Sequence, residues 1–131
     1  VSPHVELGLE GPLVQAALEE ALDIDGAVGV ALVHAHSGMT LGEAGGSASF
    51  KMEAAAAMAT DLVRAKLKGM STLKLDDTIE DIMITLGKQY HLICFLGAAH
   101  EVFVYLVLNR EHANLGMARH QLTKIARRIR L

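Results

Sequence analysis

The chain has no tryptophan, and aromatic residues make up only 4% of its 131 positions. Nucleic-acid binders usually combine a broad basic surface with aromatic stacking positions, so this scarcity argues against that class. There is one cysteine, Cys94, and a single thiol builds neither a disulfide framework nor a cysteine-based metal site. Its place inside "HLICFLG" predicts a buried packing thiol, and such cysteine usage fits a reducing compartment, so a cytoplasmic location is expected. Prolines number two, which with 51% hydrophobic residues predicts an ordered globule. No run approaches the ~18 consecutive apolar residues of a membrane span. The opening "VSPHVELGLEG" has no positive charge ahead of an apolar stretch, so it is not expected to act as a secretory signal.

Bases are also missing, but only from one end. Residues 1–50 contain Glu6, Glu10, Glu19, Glu20, Asp23, Asp25 and Glu43 and no lysine or arginine. The closing "RHQLTKIARRIRL" has five bases and no acid. The net charge of −3 therefore hides a strong polarity along the chain.

What is present is a clear alternation of periodic segments. "PLVQAALEEAL" (residues 12–22) places Val14, Ala17, Leu18, Ala21 and Leu22 on one helical stripe, with Pro12 suited to the first helical position. "AVGVALVHA" has apolar residues on both faces, the mark of a strand covered on both sides. A turn at Ser37-Gly38 returns the chain as a short strand around Met39 to Glu43. A long helix follows "GGSAS", with Ser47 or Ser49 expected to cap it. Three strands are expected next, at Thr78–Leu86, Tyr90–Leu96 and Val102–Asn109, joined by turns at Gly87-Lys88 and Gly97-Ala98-Ala99. A basic-faced helix over His112–Ile129 carries the stripe Leu115, Ala118, Leu122, Ile125 and Ile129.

The order is α-β-β-α-β-β-β-α. Parallel crossovers need a dozen or more residues, so strands joined by such short turns must be antiparallel. The predicted fold class is therefore α/β (α+β): a five-stranded antiparallel sheet with helices on both faces, in one domain over residues 12–131. Residues 1–11 are expected to be a short, poorly ordered N-terminal extension.

The long helix, "KMEAAAAMATDLVRAKLKGM", is too apolar for one job. Ala55, Ala56, Met58, Ala59, Leu62, Val63, Ala65 and Leu67 occupy more than half its circumference, while Glu53, Asp61, Arg64 and Lys68 share the rest. Covering one sheet needs a stripe of only ≳100°. The remaining apolar surface, centred on Ala55, Met58, Ala59 and Leu62, calls for a second contact.

Together these features resemble the roadblock / dynein light chain type 7 family. The residues that carry the likeness are "DIDGAVGVALVHAHSGMTLGEAGG" leading into an Ala-rich helix, the three-strand meander and the closing amphipathic helix. One departure is "HAHSG", where an acidic residue is expected in the turn. The resemblance implies a homodimer or heterodimer whose long helices pack together and whose third strands join two sheets into one, and a homodimer is expected here. It also implies a non-enzymatic scaffold or a regulator of a small Ras-like GTPase. The alternative is a small-molecule sensor module with a pocket between sheet and helix.

The candidate chemical sites are sparse. His34 and His36 lie two apart at a strand end, but His4, His91, His100, His112 and His120 add no ligand spacing, so no metal site is expected. Gly87-Lys88 is followed by Gln89, and Ile82 stands where a phosphate loop needs its first glycine, which excludes that nucleotide motif. "DDTIED" lacks calcium-loop spacing. No nucleophile, base and orienting group come together, so no catalytic residue and no cofactor are expected. Lys124, Arg127, Arg128 and Arg130 exceed what a helix C-terminus needs and are predicted to dock an acidic partner.

Overall fold

The computed structural model describes residues 11–129. Expectations for the N-terminal extension, His4 and Arg130 fall outside them. Helix α1 (Gly11–Ala21) leads into strands β1 (Ala27–His34) and β2 (Thr40–Gly45), and helix α2 spans Met52–Thr72. Strands β3 (Asp81–Thr85), β4 (Gln89–Phe95) and β5 (Val102–Asn109) follow, then helix α3 (Leu115–Arg128). The sheet order is β2-β1-β5-β4-β3, and every neighbouring pair is antiparallel.

Period-two alternation fills both faces of this sheet. Val30 and Leu32 of β1 join Leu92, Val104 and Leu106 beneath α1 and α3, where Leu18, Leu122 and Ile125 complete one core. Ala31 and Val33 point the other way, to Ile93, Phe103 and Tyr105, and are covered by Met52, Ala56 and Val63 of α2. The inner strands lack a polar side because each side has a helix layer.

The β1–β2 turn solves the missing-acid problem locally. Gly38 takes φ 78, a conformation that suits glycine. The Ser37 backbone N–H donates to His34 Nδ1 at 3.3 Å, and Ser37 Oγ accepts from Met39 N–H at 3.2 Å. His34 and Ser37 thus supply the side-chain-to-backbone bonds that an acidic turn residue would make.

Element ends differ from expectation most clearly at α2, β3 and α3. Neither Ser47 nor Ser49 caps α2: Lys51 is the N-cap and makes no side-chain cap bond. Ser47 Oγ instead accepts from Phe50 N–H at 3.0 Å, which closes a turn before the helix. Strand β3 begins at Asp81 rather than Thr78, because the Ile79 N–H is drawn to His100 Nε2 at 2.8 Å. Helix α3 begins at Leu115 because Asn114 Oδ1 accepts from Met117 N–H at 3.0 Å, and His112 lies in the preceding turn.

Candidate functional site

Helix α2 positions the largest candidate surface. Met52, Ala56, Thr60, Val63 and Met70 are buried towards the sheet, and Thr60 Oγ1 donates to the Ala56 carbonyl at 2.9 Å, which satisfies the one polar group in that stripe. Met58 is 74% exposed and Leu62 42%. Ala55 and Ala59 are half-buried at the rim of the same core. At about 100° per residue these four side chains adjoin Ala54, Ala65 and Gly69 on one flank, and Lys66 is the only charged residue on it.

Strand β3 is an edge of the sheet. It carries one charge, Asp81, and no proline or lysine to blunt pairing. Met83 is 46% exposed there, and Ile82 packs against the α2-side core. The opposite edge is different. On β2, Gln15 Nε2 of α1 donates to the Glu43 carbonyl at 3.2 Å, so a helix side chain already occupies that edge.

A polar relay sits within the α2-side core. Tyr105 Oη lies 2.9 Å from His91 Nδ1, and His91 Nε2 lies 2.9 Å from Gln89 Oε1. With a carbonyl oxygen facing Nε2, that nitrogen carries the proton and Nδ1 accepts from the tyrosine hydroxyl. Burial lowers the His91 pKa and pushes Tyr105 up to about 12. The relay is complete as neutral groups.

The histidine pair at the β1 end is committed to local contacts. The His34 and His36 rings are edge-to-face with centroids 6.4 Å apart, His34 Nδ1 is held by Ser37 Oγ at 2.8 Å, and the His36 carbonyl accepts from Arg64. Among the described residues no group of three or more His, Cys, Asp or Glu could hold a metal ion. His34, His36, Arg64 and Glu101 do line an open cleft of about 510 Å³. Of the "DDTIED" acids, Asp77 accepts through Oδ1 from the Thr78 N–H at 2.7 Å and Asp81 pairs with Arg119.

The basic tail divides. Arg128 pairs with Glu20 of α1, and Arg119, in the same helix, pairs with Asp81 of β3. Lys124 and Arg127 are exposed and have no carboxylate partner among the described residues. They line an open groove of about 850 Å³ between α3 and the segment entering β3, with Cys94 in its floor. Burial first, and the Asp81 carboxylate second, push the Cys94 thiol pKa up, so it is a packing group rather than a nucleophile. This groove is not visible in sequence, because its walls lie far apart along the chain. No helix among the described residues is long and apolar enough to cross a membrane.

By sequence, no family model and no curated protein matches the chain. Structure gives a clear likeness. Myxococcus xanthus MglB superposes with a TM-score of 0.75 at 17% identity, over 88% of this chain and 83% of that one. A Roadblock/LC7 domain from Streptomyces avermitilis gives 0.72 at 10% identity, over 86% and 90%. An MglB with tetrameric arrangement gives 0.72 at 16% identity, over 90% and 85%. The chain has the roadblock/LC7 fold.

Proposed function

We propose that this protein is a non-enzymatic homodimer that regulates or scaffolds a small Ras-like GTPase. The observation that carries the reading is the apolar flank of α2, which no element among the described residues covers although the sheet face beneath is filled. The dimer contact is assigned to Ala55, Met58, Ala59 and Leu62, with the open β3 edge extending the sheet to a second copy. The roadblock/LC7 fold supports that assignment, and self-assembly of a similarly folded protein, the MglB with tetrameric arrangement, accords with it. Lys124, Arg127 and Arg130 are assigned to an acidic partner. Arg128 is already committed to Glu20 and contributes less.

Ser37 Oγ and His34 Nδ1 form a hydroxyl–imidazole contact at 2.8 Å, but no carboxylate among the described residues orients that imidazole. Any acceleration of GTP hydrolysis is therefore assigned to positioning the GTPase's own groups. The sensor alternative is weaker, since the cores between sheet and helices are filled with side chains and the space of about 850 Å³ beside α3 is an open groove rather than an enclosed pocket. The test uses small Ras-like GTPases from the same cell, purified with GDP or a non-hydrolysable GTP analogue and titrated against the chain. The expected result is binding to one of them that differs between nucleotide states, with no hydrolysis by the chain alone. Lack of binding in both states overturns the GTPase partner, and hydrolysis by the chain alone overturns the non-enzymatic role.

A further inference from the structure

The groove beside α3 has features that the dimer face does not. One wall is the outer flank of α3, from Gly116 to Arg127. At 1.5 Å per residue that wall is about 16 Å long, the span of roughly five residues of extended chain. His120, Lys124 and Arg127 lie along it. Arg119 is neutralised by Asp81, whereas Lys124 and Arg127 have no such partner among the described residues.

The floor is apolar and thinly covered. Cys94, Leu96 and Ile129 each keep 8% of their surface, while Val102 and Leu106 of the same core keep none. Gly97, at φ 116, lines the groove with no side chain to fill it. The facing wall contributes Glu80 and the already paired Asp81. The charge is thus asymmetric across the groove: cationic on the helix side, apolar below, acidic only towards β3.

We propose that this groove is a docking site for an extended acidic segment of a partner protein, anchored by an apolar side chain over Leu96 and Ile129 with carboxylates turned to Lys124 and Arg127. The proposal deepens the docking role given above to Lys124 and Arg127 and does not depend on the GTPase. It makes no use of the α2 contact, which lies on the opposite sheet face, while its acidic wall at Glu80 and Asp81 adjoins the β3 edge given above to the second copy. Two features select this occupant. A purely acidic segment leaves the floor exposed, and a purely apolar one leaves two cations desolvated without partners. Glu80 fixes the direction, because carboxylates placed on its side are repelled.

The test is selection of short random peptides displayed on phage against the immobilised full chain, followed by fluorescence anisotropy on the resynthesised binders. Enriched peptides are expected to combine at least one aliphatic residue with two or more acids, and to bind more weakly as salt rises. A Lys124→Glu/Arg127→Glu double variant should lose at least tenfold in affinity, and Lys88→Glu, at the β3–β4 turn, should lose none. Melting temperature checks the fold, and a Lys124→Gln/Arg127→Gln pair, expected to lose severalfold, replaces the double variant if charge reversal unfolds it. Failure to enrich, enrichment of neutral or basic peptides, or unchanged affinity in whichever double variant folds overturns the proposal. Binding that appears only after removal of residues 1–10 overturns it too, because the occupant is then the chain's own acidic segment. Nucleotide-dependent GTPase binding is measured on separate samples and stands or falls independently.

Discussion

At the residue scale the polar groups inside the core behave as a neutral set. His91, lowered by burial, favours the folded state in its uncharged form. Its contribution is complete above the unfolded histidine pKa of about 6.5 and is lost as pH falls through the lower folded value. Tyr105 has the opposite sense: its pKa rises from about 10 to about 12 in the fold. Its contribution is complete below pH ~10 and is lost as pH climbs through the folded value. Tyr105→Phe removes the hydroxyl facing His91 Nδ1 and should cost about 1 kcal/mol at neutral pH. Above pH ~10 the parent loses the tyrosine contribution and the variant has none to lose, so the gap in urea midpoint should narrow. A gap that stays constant up to pH ~12 would remove Tyr105 from the linkage. None of this was legible in the sequence. Tyr105 and His91 read simply as strand residues, and the ion pairs Arg119–Asp81 and Arg128–Glu20 span 38 and 108 residues. Side-chain partners at such separations are set by sheet order and helix placement, which local patterns do not encode.

At the element scale, type and order were legible and ends were not. Periodicity reports which face is buried, and every strand and helix follows it. Ends depend on which of several competing polar groups reaches an orphan backbone group, and "GGSAS" and "EHAN" each offer more than one. The C-terminus of α2 shows the same competition resolved with an unusual residue. The Leu75 N–H donates to the Met70 carbonyl at 2.9 Å and the Lys74 N–H to the Ser71 carbonyl at 3.0 Å, the paired bonds of a Schellman motif. Its left-handed position is filled by Lys74 at φ 57, where glycine is usual. Lys74→Gly should relieve that strain and stabilise the fold by about 1 kcal/mol, read as a higher urea midpoint. His100 has nearly the same backbone, φ 58, but its ring accepts from Ile79 N–H and stands edge-on to Phe95 with centroids 4.9 Å apart. His100→Gly should therefore destabilise by about 1 kcal/mol, since the lost contacts outweigh the relieved strain. Two substitutions of the same kind at the same dihedral angle should move stability in opposite directions. Equal signs would show that φ alone governs both sites.

At the scale of the whole molecule, the apolar excess of α2 was the clearest signal in the sequence, and the described residues leave it uncovered. Obligate interfaces commonly bury on the order of 2,000 Å² and are core-like at their centres, which fits Met58 and Leu62 flanked by alanines small enough for close helix approach. Solution mass by light scattering at micromolar concentration should be twice the 14.0 kDa of one chain. Met58→Arg is the sharpest variant. With 74% of Met58 exposed, the new charge costs the single chain little, whereas in the assembled dimer it would be buried unpaired at several kcal/mol. The variant should run as a 14.0 kDa species with its cooperative unfolding retained, or aggregate through the apolar patch that remains. Ala59→Arg should give the same mass but lower stability, because Ala59 also borders the chain's own core. Lys68→Glu, on the polar side of α2, should change neither mass nor solubility. A parent that runs as a monomer would leave the α2 flank without its second copy, and a Met58→Arg variant that still runs at double mass would move the contact elsewhere on the molecule.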